Sequence, residues 1–192
     1  MFSTEPGDNT NQIFTSPGEY NVASSRPLIK VSDDHYFLPV NLDLAQAIYE
    51  NPFYGMIKDT NYINEVAKHR GDAVEDITYN TLKGTFGDKV YKRVKVNKGN
   101  STLTDIDVMV VVGNKAIIFQ CKGKKLTELS RRGNTEVLKQ DFQNAIQKSY
   151  DEAVTIRSTL LGKDSYKLVD ETGAEITLPN GLDEAYIMCV TA

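Results

Sequence analysis

TDIDVMVVVGNKAIIFQCKGKK, residues Thr104 to Lys125, holds two apolar runs on either side of Gly113-Asn114. Gly-Asn between β-branched runs is the signature of a two-residue I′/II′ hairpin. With those residues as the loop, Val112 faces Lys115. Counting back puts Asp107 opposite Gln120 and Asp105 opposite Lys122. Side chains alternate between faces along a strand, so these four polar groups are expected on one face, far from the turn. Ile106 and Cys121 are expected on the other. Polar groups at the end of an otherwise apolar hairpin must find partners or do chemistry.

Working outward, Val90 to Val96 reads as a preceding strand, with Val90, Lys92, Val94 and Val96 on one face, joined to the hairpin by the loop NKGNST. The three strands make an antiparallel meander. Before it, Thr60 to Lys83 has helical spacing, with a joint near Gly71 and closure at Phe86-Gly87-Asp88. Val74, Ile77, Thr78, Thr81 and Leu82 form its apolar stripe. Glu75 falls at the border of that stripe and Asp76 on the solvated side.

After the hairpin comes a polar, basic loop, Leu129 to Gly133. A long helix follows, from about Thr135 to Leu161, with Leu138, Phe142, Ala145, Ile146, Ser149, Ala153, Ile156 and Leu160 as its stripe. Tyr166–Val169 and Glu175–Leu178 flank Thr172-Gly173 as a second hairpin, and Ala185–Thr191 reads as a core strand. Three regions are expected: a poorly ordered arm over 1–30, an appendage over 31–62 packing on the core, and the main domain over 63–192. The appendage holds a short strand, His35 to Val40, a helix from Leu42 to Tyr49 ending before Pro52, and an apolar cluster of Phe53, Tyr54 and Met56. The chain is expected to continue beyond Ala192.

The chain has 192 residues, a formal charge of −4 and 25 % charged residues, the balance of a globular protein with no overall attraction for nucleic acid. Any phosphate binding must come from a local basic patch. Cys121 and Cys189, outside any CxxC or Cys/His cluster, argue against a disulfide framework or a structural zinc site. The first residues lack a basic segment followed by an apolar one, so no signal peptide is expected. No run has the length of a membrane span. The expectation is a cytoplasmic protein without membrane partners. His35 and His69 lack a metal or triad context, and Ser130 lacks a paired base.

Hydrolysis of a phosphodiester is helped by a hard divalent ion, which draws charge from the phosphoryl oxygens and lowers the pKa of a bound water. Magnesium needs only one or two carboxylates and a carbonyl oxygen from the protein. Asp107, the Gln120 amide oxygen, Glu75 from the helix and the Cys121 backbone carbonyl are the candidate oxygens. Lys122, two residues after Gln120, is placed to orient water and offset transition-state charge. Lys124, Lys125, Arg131 and Arg132 are candidate phosphate contacts. No reader helix, zinc finger or aromatic stacking series is visible.

Gly71-x-x-x-Glu75 on a helix, then Thr104-Asp105-Ile106-Asp107-Val108, then Gln120-x-Lys122 resembles the PD-(D/E)XK nuclease superfamily, in particular its Mrr-like and NERD-like restriction endonuclease folds. The resemblance covers about Arg70 to Ala153. It implies an α/β fold with a restriction-endonuclease-like αβββαβ core, a central mixed sheet flanked by helices, Mg²⁺ (or Mn²⁺) dependence and cleavage of DNA. Glu75 would be the helix acid, Asp107 the principal metal ligand, Gln120 the third ligand and Lys122 the catalytic lysine. Asp105 falls where some members carry a second acid. Gln120 stands where most members have Asp or Glu, as Mrr-like relatives tolerate. Removing that charge weakens the expected hold on the ion.

The reading is thus a metal-dependent endonuclease, with two alternatives kept open: an inactive nuclease-like module that binds DNA or a protein, or a structural α/β module. In the last, Asp105–Lys122 is only a cross-strand salt bridge. A homodimer stays open as an assembly.

Overall fold

The computed structural model describes residues 2–7, 22–56, 59–124, 127–131, 134–162, 165–178 and 181–191, with backbone alone at 24, 54, 128 and 131. The chain divides into two compact units, one of residues 1–68 and 126–138, the other of 69–125 and 139–192.

In the first unit, β1 (Ser3–Thr4) lies parallel to β2 (Leu28–Ser32), which turns back antiparallel into β3 (His35–Phe37). A short helix, α1 (Val22–Ser25), precedes β2. The stretch 1–30, expected as a poorly ordered arm, therefore contributes two strands and a helical turn. Ser3 pairs with Leu28 across a long stretch of chain, so that part of the signal was nonlocal. Helix α2 (Asn41–Met56) does not stop before Pro52 but runs through it. Proline in a helix interior forfeits one i→i−4 bond. Nearby, the Asn51 side chain donates to the Ser25 carbonyl at 2.6 Å.

Helix α3 (Ile63–Phe86) is continuous, without a joint at Gly71. Its buried line runs through Val74, Tyr79, Leu82 and Phe86, while Ile77 is 68 % exposed. The stripe is thus rotated from the expected one, because the two aromatic rings, seven residues apart, set the face. Glu75 moves inward with them.

Gly87, at φ +60°, begins a 3-10 turn that ends the helix and delivers β4 (Val90–Lys98). The expected loop after it is instead a tight reversal at Gly99-Asn100, with strand pairing on either side. Strands β5 (Ser101–Val112) and β6 (Lys115–Lys122) pair from Val112–Lys115 to Val108–Phe119, the register counted from the turn. Gly113 takes φ +62° while Asn114 stays at negative φ, as in a II′ turn.

The basic segment holds a short helix, α4 (Glu128–Arg131), in the first unit. Then α5 (Thr135–Phe142) passes through a π-helical stretch, Gln143–Gln147, into α6 (Lys148–Leu160). The extra residue of a π turn rotates everything before it. Ser149, Ala153, Ile156 and Leu160 are buried as expected, but Leu138, Phe142 and Ile146 are exposed and Asp141 is buried instead.

Strands β7 (Lys167–Val169) and β8 (Glu175–Ile176) form the second hairpin, and β9 (Glu184–Thr191) runs parallel to β6. The sheet of the second unit has six strands in the order β8-β7-β4-β5-β6-β9, one parallel pair among antiparallel ones. The fold is a mixed α/β one. Val90, Val108, Val110 and Phe119 meet Tyr79, Leu82 and Phe86 of α3 on one face. Val94, Val96, Ile106, Met109 and Ile118 meet Ile156 and Leu160 of α6 on the other. Val90 and Val94, expected on one face, lie on opposite ones, because Arg93 between them takes φ +50°. Among the described residues no helix is long and apolar enough to cross a membrane.

Candidate functional site

The β5–β6 ladder stops at Val108–Phe119, and beyond it side chains replace backbone rungs. The Asp107 amide donates to the Gln120 amide oxygen at 3.2 Å, and the Gln120 amide nitrogen donates to the Asp105 carbonyl at 3.2 Å. The Cys121 amide donates to Asp107 Oδ2 at 2.6 Å. A charged acceptor makes this last bond a strong one. Asp107 and Gln120 therefore do come together, as counted, but by bridging the gap between two parting strands rather than by rising from one face.

Their neighbours diverge. The Cys121 sulfur lies 3.7 Å from Thr78 Oγ1 on α3, whereas Lys122 Nζ reaches Glu152 Oε2 on α6 at 3.0 Å. These helices cover opposite faces of the sheet. Asp105 is exposed and stands opposite Lys95 on β4, not in a ladder with Lys122. The one-face arrangement of Asp105, Asp107, Gln120 and Lys122 is thus not what the chain adopts: the strands separate before the last two rungs, so strict alternation across the pair no longer applies.

Burial lifts the Asp107 carboxyl from 3.8 to about 6; the Cys121 amide opposes the rise, while the Glu75 charge adds to it, with Lys122 and Glu152 acting in opposite senses. Asp107 and Glu75 are therefore electrostatic neighbours. Glu75, with 18 % of its side chain exposed, gives Oε2 to Arg93 Nε at 2.8 Å, and the Arg93 guanidinium also binds Asp72. Asp76, expected on the solvated side, is exposed there and binds the ammonium of Lys92, which is only 9 % exposed. That contact holds the Asp76 carboxyl below its ordinary value.

Burial pushes the Cys121 thiol up to about 11, so its sulfur is protonated at neutral pH and offers no thiolate to a metal or substrate. Only its backbone carbonyl can serve. Among the described residues no three His, Cys, Asp or Glu side chains form a metal-binding group. The available oxygens are those of two carboxylates, Asp107 and Glu75, with an amide and a carbonyl beside them. For magnesium, which keeps several waters, such a set is sufficient in kind. Asp107 Oδ1 and Glu75 Oε1 make no hydrogen bond among the described residues, so each carboxylate keeps one oxygen to offer. A carboxylate whose ionisation burial resists, with the charge of a second one nearby, suits a cation beside it.

Of the expected phosphate contacts, Lys124 is exposed and lies 3.7 Å from the buried Asp141 carboxylate. Arg131 ends α4, a helix rather than a loop, and belongs to the first unit. Lys125 and Arg132 lie outside the described residues. Three residues at this end of the sheet were not singled out from sequence: Glu152, Arg93 and Asp72. Glu152 had a readable signal, since it adjoins the buried line Ser149–Ala153–Ile156 on α6. Asp72 had one too, a turn before Glu75 on the same helix. Arg93 had none, because a left-handed residue within a strand leaves no mark in periodicity.

No protein-family model, curated protein or solved structure matches the chain.

Proposed function

We propose that the chain is a metal-dependent nuclease with a restriction-endonuclease-like αβββαβ core, hydrolysing DNA phosphodiester bonds. The observation that carries the reading is the Asp107 carboxylate, which is partly buried at the parted end of a hairpin, fixed by the Cys121 amide and close enough to Glu75 to feel its charge. The order α3, β4, β5, β6, α5–α6, β9, with β9 parallel to β6, supports the core.

Asp107 and Glu75 would hold Mg²⁺ or Mn²⁺, with the Cys121 carbonyl and the remaining lone pair of the Gln120 amide oxygen as further donors. When bound, the ion supplies charge withdrawal from the phosphoryl oxygens and a lower pKa for an attacking water. Lys122, whose charge reaches Asp107 although its ammonium is turned to Glu152 on the α6 side, would offset developing charge there. Glu152 holds this ammonium at the α6 side. Lys124 meets Asp141 only at 3.7 Å, a loose pair that a DNA phosphate can replace.

A second reading has its own observation. Both halves of the Gln120 amide are engaged with the β5 backbone, and Lys122 is tied to Glu152. Those contacts suit a nuclease-like module that binds DNA or a protein without cutting. Supercoiled plasmid incubated with Mg²⁺ or Mn²⁺ separates the readings. The nuclease nicks or linearises it, EDTA stops the reaction, and Asp107→Ala and Lys122→Ala each lose activity at least 100-fold. Metal-independent DNA retention without cleavage, unchanged in Asp107→Ala, favours the binding module.

A further inference from the structure

We infer that Arg93 is a positioning residue for the metal site: its guanidinium, turned toward α3 by a left-handed backbone, holds Glu75 so that one carboxylate oxygen faces the ion. The inference rests on the metal-dependent reading and names a part of that site which motif and periodicity leave unassigned.

Three observations carry it. Arg93 has φ +50° within β4, and among the described residues it is the one non-glycine at positive φ. For an L-residue this conformation is strained. Such strain persists where surroundings over-determine it, and it clusters at functional sites. Second, the strain has a structural result. Lys92 and Arg93, consecutive in the strand, both reach acids of α3, whereas a regular strand would send them to opposite faces. Arg93 occupies the rung between the Lys92–Val108 and Val94–Ile106 pairs, alongside Asp107. Third, the guanidinium spans Asp72 and Glu75, taking Glu75 Oε2 at 2.8 Å.

A plain surface ion pair does not explain this. Half-exposed pairs contribute little, no more than offsets the backbone cost. Arg93 is 46 % exposed, so its two pairs belong to that class. What the arrangement achieves is orientation. A carboxylate held through one oxygen presents the other in a fixed direction, and the planar fork does this with little loss of freedom. Outer partners of this kind set ligand geometry, and losing one commonly costs 10–100-fold in metal affinity.

The test is Mn²⁺ binding to the full chain, read by the electron paramagnetic resonance of the free ion, alongside thermal melts. Arg93→Gly suits φ +50° and relieves the strain, so its melting temperature is expected at or above wild type. Its Mn²⁺ dissociation constant is expected to rise 10–100-fold, with Arg93→Lys recovering part of the loss. In a Glu75→Gln background, Arg93→Gly is expected to add no further loss. Wild-type affinity in Arg93→Gly, with binding still lost in Asp107→Ala, overturns the inference and leaves the nuclease reading standing. So does an equal loss with and without Glu75. A wild type that neither binds Mn²⁺ nor cuts DNA, indistinguishable from Asp107→Ala, overturns both.

Discussion

At the scale of single residues, Asp107 is held between opposing demands. Its Oδ2 accepts the Cys121 amide, which favours the charged form, while burial and Glu75 favour the neutral one. Burial wins, and the carboxyl moves from 3.8 to about 6. The folded chain therefore keeps a proton that the unfolded chain releases between these two values. Stability falls as pH rises through that window, and above it the cost of holding the charge is complete. Asp107→Asn, which keeps an acceptor for Cys121 and does not titrate, is expected to match wild type near pH 4. At pH 7.5 in EDTA it is expected to be more stable by on the order of 2 kcal/mol. Urea midpoints at the two pH values check this, and an equal difference at both would contradict it. Residues whose placement follows from spacing were readable in advance: Asp107 and Gln120 by counting from the turn, Glu75 by helical repeat. Their partners were less so. Asp72 stands a turn before Glu75 on the same helix and Glu152 beside a readable stripe, but Arg93 and Glu152 reach the site from other elements, which only the folded sheet brings together.

At the scale of elements, the β5–β6 and β7–β8 hairpins were legible because Gly113-Asn114 and Thr172-Gly173 mark their turns locally, though the same Gly-Asn signal at 99–100 read as a loop, and β6 and β9 because apolar runs mark core strands. What periodicity misplaced were the irregularities. The π turn at Gln143–Gln147 adds a residue and exchanges Phe142 for Asp141 on the buried side. Arg93 reverses the alternation of β4, and α2 runs through Pro52. Each is a local departure that tertiary contacts stabilise and the chain's own pattern does not announce. The π register predicts contrasting costs along one helix. Phe142→Ser, at a position 50 % exposed, is expected to change stability by no more than about 0.5 kcal/mol. Ala153→Leu, at a position 0 % exposed, is expected to cost about 1–3 kcal/mol by overpacking. Urea denaturation of the two variants checks the assignment; a large loss in Phe142→Ser would place that ring in the core.

At the scale of the molecule, a chain of charge −4 has no general attraction for DNA, so an interaction with phosphate depends on where its cations lie. The second unit sets one local arrangement: its sheet carries α3 on one face and α6 on the other, and β5 and β6 part between them. The charge of Glu75 on α3 reaches Asp107 on β5 at this opening, and Lys122 meets Glu152 from the α6 side. The central claim is that the opening holds a divalent ion between Asp107 and Glu75. The most direct measurement is the anomalous scattering of a crystal grown with Mn²⁺. The account predicts a peak within about 2.2 Å of Asp107 Oδ1 and of a Glu75 oxygen, a distance set by hard-cation coordination. Density there that is empty at saturating Mn²⁺, with both carboxylates still turned to their present partners, would contradict it.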